Sequence, residues 1–472
     1  MNSKNNLMKI KSALVFLLSS ILLCAFFPKG LDEVYISAYI VNAVSVLICE
    51  TLLINYYSKR GFDLFDQITV ISFIYILMFF VTPIYDIITR EFLWYEYNLF
   101  PYSVKATIIE LIGFISFYFA YDLGCRKNKR HLTYHQAKRQ NDNYVSIILI
   151  MYAFCFFANA YYLIKSGGNS LIYILSLGLI GEGKTENTIS APIGFISMFS
   201  YCLPTVTLLY WEYGKSKFLK FALFVPMLML QVARGFRFFV VQIAITFFAY
   251  HYIKNHRRPK IRHIIIFSIL LMMPIILMTM YRNTIRAGAG MDLSHISFDT
   301  LKSEFDYAIW FNLRIYRNFY AMADKMPSVI PYVGFRQILI GTIVMVIPRV
   351  IWPGKIAPGA NIPLTQIIGP NLKGTGQAYP NIGEYYSAFG TLGVIFFMAL
   401  YGWWMKKIKV KYADGAKNGL DIITYAVLLG INLQLIIRGY TPSNFWYMVF
   451  SLLPVFVIKT LQKTKKGRIK DE

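Results

Sequence analysis

The sequence is short of acid. It holds 24 aspartates and glutamates against 48 lysines and arginines, a formal net charge of +24. So basic a chain first suggests nucleic acid, but the positions of the charges exclude that partner. Lysine and arginine gather in short loops: Lys59 with Arg60, 126–139, 215–220, 254–262, 406–417 and the tail from Lys459. Basic loops between apolar runs mark the cytoplasmic face of a membrane protein, set against anionic lipid. Cysteine is also scarce. Cys24, Cys49, Cys155 and Cys202 lie in apolar runs and Cys125 in a basic loop, so no external disulfide framework is expected. No Cys/His cluster has zinc spacing, and no phosphate-binding G-x-x-x-x-G-K-[ST] occurs, which excludes a zinc site and ATP hydrolysis. No small-residue cleavage site follows Phe27, so the first apolar run is expected to stay as an anchor. Internal repeats and low-complexity tracts are absent.

What the sequence has in abundance is apolar residues, 56% of its 472. About 20 consecutive apolar residues cross a bilayer as a helix. Twelve such runs are read at 12–27, 34–57, 67–88, 104–123, 144–164, 193–211, 218–232, 236–253, 264–281, 389–405, 420–437 and 443–458. The fold class is therefore an all-α polytopic integral membrane protein of about twelve transmembrane helices, with both termini cytoplasmic. It forms a single membrane domain, 1–472: helices one to nine over 12–281, an extracytoplasmic region over 282–388, the last three helices over 389–458, and a basic cytoplasmic tail, 459–472.

The region 282–388 is far longer than ordinary connections, and long ordered loops are usually functional. Phe298, Leu301, Phe305, Ile309, Tyr316, Phe319 and Ala323 recur at three- and four-residue spacing. They predict an amphipathic helix over 299–325 lying on the outer surface, with Asp299 as N-cap and Pro327 past its end. The stretch 337–347 is apolar but too short to span, and reads as re-entrant. Then comes RVIWPGKIAPGANIPLTQIIGPNLKGTGQAYPNIGEYYSAFG, 349–390, too rich in glycine and proline for one regular helix. Such a segment can sit at a membrane only where water or protein satisfies its backbone.

Candidate chemistry collects at the same face. Arg234, Arg237, Arg282, Arg286, Arg336, Arg349 and Arg438 lie near predicted outer helix ends, where the positive-inside rule disfavours them. Guanidinium grips phosphate through paired hydrogen bonds and keeps its charge in a partly dry site. As a set these arginines suggest a pocket for a lipid-linked phosphate or pyrophosphate. Snorkelling, or pairing with Asp292, Glu304 and Asp306, is the alternative. Glu384 is the only acid between Arg349 and Gly390. It is a candidate general base toward a sugar hydroxyl, or else a helix N-terminal acid paired to an arginine. Trp352, Tyr385 and Tyr386 are candidate sugar-binding faces, although the membrane's aromatic belt also explains external aromatics. Glu50 lies in an apolar run near its inner end, where it can reach the interface beside Lys59 and Arg60.

The runs ARGFRFF, IPRVIWPGK, NIGEYYSAFGTLGV and IIRGY resemble the Wzy-type O-antigen polymerases, oligosaccharide repeat-unit polymerases, with some likeness to enterobacterial common antigen polymerases. The likeness covers about 232–450. It implies a bacterial inner-membrane glycosyltransferase of GT-C-like fold, working on the outer face without metal or other cofactor. Such enzymes move a growing glycan from one polyprenyl pyrophosphate onto a new lipid-linked repeat unit. The implied partners are that lipid-linked oligosaccharide, membrane lipids and a candidate chain-length regulator protein. The family's outward arginines carry over to Arg234, Arg237, Arg349 and Arg438; Glu384 falls at a position that is acidic in only some members. Three other classes stay open: an O-antigen ligase, whose expected external histidine has only His295 as a candidate; a GT-C transferase using a polyprenyl monophosphate sugar, with Asp32 and Glu33 as its acidic motif; and a non-enzymatic flippase or transporter.

Overall fold

In the computed structural model the described residues are 15–123 apart from 29, 95 and 96; 144–166; 194–286 apart from 234–236; 306; 310; 313–352 apart from 348–350; 354; and 378–471. They are almost wholly helical. In chain order the helices are α1 (Val15–Ala25), α2 (Glu33–Arg60), α3 (Gln67–Ile88), α4 (Ser103–Leu123) and α5 (Val145–Ser166). Next come α6 (Leu203–Tyr213), α7 (Lys217–Ala233), α8 (Arg237–Lys254), α9 (Ile261–Arg286) and α10 (Tyr316–Lys325). The last are α11 (Ile340–Val346), α12 (Asn381–Ile408), α13 (Gly419–Ile437) and α14 (Thr441–Asp471). A two-residue hairpin, β1 (Leu93–Trp94) against β2 (Tyr97–Asn98), joins α3 to α4.

Among the described residues seven helices are long and apolar enough to cross a membrane: α2, α3, α4, α5, α12, α13 and α14. The other five predicted runs overlap α1, α6, α7, α8 and α9, which are not among those seven, and in the run 193–211 α6 covers only the part from Leu203. The class is thus a helical integral membrane protein. Large apolar side chains such as Phe73, Leu123, Ile150, Phe157, Leu392 and Phe456 point out of the bundle, as a lipid-facing surface requires.

Two cores share the bundle. One is built from α2, α3, α4, α10 and α12, the other from α5 to α8, α13 and α14, with α13 contributing to both. Close approach depends on small residues, the usual means of packing helices in lipid. Any Cβ at Gly402 of α12 would run into the backbone of Phe117 in α4, and one at Gly430 of α13 would run into Thr246 and Gln242 of α8. One end of the bundle is fastened by ion pairs between helix termini. Arg60 meets Asp122 at 2.8 Å, Lys254 meets Glu212 at 2.6 Å, Lys459 meets Asp421 at 2.8 Å, and Lys409 meets Asp66.

The structure corrects the expectation for 299–325. Its first half lies largely outside the described residues, but α10, its second half, does not lie on a surface. Tyr316, Arg317, Asn318, Phe319, Tyr320 and Met322 are all buried, packed against α4 and α12. The polar residues inside that face are satisfied rather than solvated. Asp86, 0% exposed, accepts from Arg314 Nε at 2.9 Å, Arg317 Nε at 3.0 Å and Tyr316 Oη at 2.7 Å. Arg317 also donates to the carbonyls of Leu93 and Glu91. Trp94 Nε1 donates to Asn318 Oδ1 at 2.9 Å, and Asn318 Nδ2 to the carbonyl of Ala378 at 2.7 Å. The periodicity was that of a buried helix whose charges have partners, which spacing alone does not distinguish from a surface helix.

The start of α12 also differs from the reading at 389. The helix begins at Asn381, after extended Pro380, and is interrupted at Phe389 (φ −146°, ψ 23°) and Gly390 (φ 63°, ψ −149°). Glu384 is therefore inside a helix, not in a loop before one.

Candidate functional site

The site is assembled where the α13–α14 turn meets the start of α12. Pro380 holds extended backbone and Asn381 opens the helix, so Glu384 falls in its first turn. Gly439 N–H donates to the carbonyl of Tyr379 at 2.8 Å. That approach needs glycine: any Cβ at 439 would lie inside the backbone of Pro380 and Asn381. Two residues on, Thr441 N–H donates to both Glu384 oxygens at 2.9 Å each, and Thr441 Oγ1 donates to Oε2 at 2.6 Å. Thr441 opens α14, so the carboxyl group sits at the starts of two helices. It is 1% exposed.

Arg438 precedes this junction. Its N–H closes the last turn of α13 on the carbonyl of Gln434 at 2.9 Å, and its carbonyl accepts from Asn444 Nδ2 at 2.6 Å. Its guanidinium carbon lies 5.0 Å from the Phe238 ring centroid. Phe238 follows Arg237 at the start of α8, so the beginnings of α8, α12 and α14 and the end of α13 converge here.

The segment before α12 leans on the same junction. Val333 N–H donates to the carbonyl of Ser387 at 2.9 Å, and Tyr332 fills the notch left by Gly390 at the helix break. Gln337 Nε2 donates to Tyr379 Oη. Trp446 Nε1 donates to the carbonyl of Thr342 at 2.7 Å, and Pro442 packs on Gly341. Exposed Arg336, on the turn before α11, belongs to this end as well. Burial pushes the phenols of Tyr379 and Tyr440 well up, and the Glu384 charge pushes them further, so both stay protonated donors at neutral pH.

Of the predicted residues, the structure joins Glu384 to Arg438 through one short turn, with the first residues of α8 against Arg438. Arg282 and Arg286 lie in the last turns of α9. Arg234, Arg349, His295, Asp292 and Glu304 lie outside the described residues. Trp352 is 47% exposed, and Tyr385 is half-buried and stacked on Phe397 at 5.1 Å. Tyr386 does not meet the expectation of an open sugar-binding face. Its ring is 2% exposed, packed edge-on to Phe319 and Tyr332, and its hydroxyl donates to the carbonyl of Met326 at 3.2 Å. Glu50 is held by the Ser19 hydroxyl of α1 at 2.8 Å, while Arg60 pairs with Asp122.

Two polar residues escaped the sequence reading. Thr441 carries no signal of its own beyond preceding a proline at a helix start. Glu110 carries a clear one, an acid in the middle of an apolar run. It is fully buried in α4, and neither carboxyl oxygen has a hydrogen-bond partner within the described residues.

Comparison with known proteins gives one family: a model described as O-antigen polysaccharide polymerase Wzy matches residues 9–466, nearly the whole chain. No curated protein and no solved structure matches it.

Proposed function

Since the chain belongs to the O-antigen polysaccharide polymerase Wzy family, a family of membrane proteins acting on lipid-linked oligosaccharide repeat units, we propose that it moves a growing glycan from one polyprenyl pyrophosphate to a new lipid-linked repeat unit. In that reaction the bond from the sugar anomeric carbon to pyrophosphate oxygen breaks. A bond from that carbon to an acceptor hydroxyl oxygen forms, the hydroxyl proton passes to water or to a phosphate oxygen of the leaving group, and polyprenyl pyrophosphate departs with the bonding electrons. Negative charge builds on phosphate oxygens, and fixed guanidinium groups aimed at it stabilise the transition state. Arg438 and Arg237, at one junction, are assigned that role, with Arg234, Arg349, Arg282 and Arg286 completing the set. Trp352 and Tyr385 are assigned to the sugars.

The observation that carries this reading is the convergence of Arg438, the start of α8 and the buried Glu384 at one end of the bundle, opposite the end where the basic loops are fastened. On the positive-inside rule that opposite end is cytoplasmic, and the site faces outward in a GT-C-like bundle of twelve spans. A cysteine placed at Gly374 is then labelled from outside the cell and one at Lys129 is not; the reverse pattern sinks the orientation. A chain-length regulator protein is the further partner this reading expects.

Glu384 enters as the acid of the site. Thr441 fills three of its roughly four acceptor positions, which leaves one on Oε1, and its burial and contacts favour holding over proton transfer.

The direct test is polymerisation of a lipid-linked repeat unit by the purified protein in detergent. Deleting the gene complements it. Single repeat units in place of the surface-glycan ladder agree with a polymerase, whereas free lipid-linked polymer with no attached glycan points to a ligase.

A further inference from the structure

We infer that Thr441 is a positioning residue of the site, acting on Arg438 through Glu384. The inference deepens the proposed reading of Arg438 as a pyrophosphate ligand and rests on it.

The turn that presents Arg438 is short and tied at every step. Arg438 leaves α13 in extended conformation (φ −124°, ψ 91°). The start of the turn is held by the Gln434 carbonyl and its middle by Gly439 on the Tyr379 carbonyl. The far end is held by Thr441, through one N–H and one O–H on the same carboxylate, and by Asn444, whose Nδ2 donates to the Arg438 carbonyl at 2.6 Å and whose N–H donates to the Tyr440 carbonyl at 3.0 Å. The anchor does not move, because Glu384 lies within α12 and is buried. Thr441 therefore fixes where α14 begins relative to α12, and with it the direction in which the chain three residues earlier presents a guanidinium. Paired recognition of a phosphate depends on that direction, since a fork that is turned aside loses one of its two bonds. Of the ties on Glu384, the Thr441 hydroxyl is the one that can be removed on its own without disturbing backbone. Valine has nearly the same shape and keeps the N–H, so it subtracts one donor from Glu384 and little else.

A hydroxyl that merely satisfied a buried acid would lower stability and leave chemistry at Arg438 untouched. Polymerisation kinetics of the purified protein on the lipid-linked repeat unit separate the two. Thr441→Val is expected to lower kcat/KM about tenfold, the equivalent of one hydrogen bond, and Thr441→Ser to restore it. The deciding measurement is the double variant. In an Arg438→Lys background, Thr441→Val should lower kcat/KM no further, because the group it orients has already lost its fork. An undiminished tenfold loss in that background, or wild-type kcat/KM for Thr441→Val alone, overturns the inference and leaves the pyrophosphate reading standing. Wild-type kcat/KM for Arg438→Lys takes down both. Should the valine variant fail to accumulate, Thr441→Ala carries the same expectations.

Discussion

Two buried acids at the same end of the bundle are satisfied in opposite ways. Asp86 accepts from two arginines and a tyrosine, and both arginines also reach Glu91, Arg314 its carboxylate and Arg317 its backbone carbonyl. Glu384 accepts from a threonine N–H and hydroxyl, neutral donors at a helix start. The difference separates fastening from presentation. Guanidinium groups spent on Asp86 draw α3, the hairpin and α10 together, and their fork is used up inside the protein. Among the described residues Glu384 is held by neutral donors, and they fix the turn that carries Arg438.

The largest expected effect breaks the first member of that comparison. Arg317→Ala takes from buried Asp86 one of its two guanidinium partners and from the Leu93 and Glu91 carbonyls their bonds to Arg317, and removing one partner of a buried pair typically costs about 3–5 kcal/mol. Folded protein in detergent should fall sharply, with a lower midpoint in thermal unfolding; an unchanged midpoint would show that Asp86 is not held as described. Arg438→Lys should act the other way, leaving the unfolding midpoint in place and lowering polymerisation about a hundredfold, because lysine keeps charge but not the fork. If it lowers the midpoint as Arg317→Ala does, Arg438 is also a fastener and the contrast fails.

Glu384→Gln sharpens the second member. Its carbonyl oxygen still accepts from Thr441, so a holding role predicts a loss of roughly tenfold. A general base predicts about a hundred- to ten-thousandfold at unchanged stability, and that result would return Glu384 to the chemistry. The smallest effect belongs to Tyr440→Phe. The Tyr440 hydroxyl is buried without a hydrogen-bond partner among the described residues, so stability should change by less than about 0.5 kcal/mol. A fall in turnover with stability intact would assign that hydroxyl to the substrate.

Composition and periodicity were enough for the class: runs of the right length with basic loops between them can only be membrane helices, because lipid offers no partner to an unpaired backbone. They also picked out Arg438 and Glu384, since charge at an outer helix end or beside an apolar run is costly and stands out. What the sequence could not show is what those charges touch. Arg317 and Arg438 are alike as letters, each among aromatics near a helix end, yet one is bound to an acid 231 positions earlier and the other lies against Phe238. Tyr385 and Tyr386 are neighbours, but helical rotation leaves one half-buried and sends the other into the core. Thr441 gains its place only when Gly439 lets two backbones meet. Spacing along a chain records which face of a helix a residue occupies; whether that face meets lipid, water or another charge is decided by elements hundreds of residues away, and so by the tertiary structure alone.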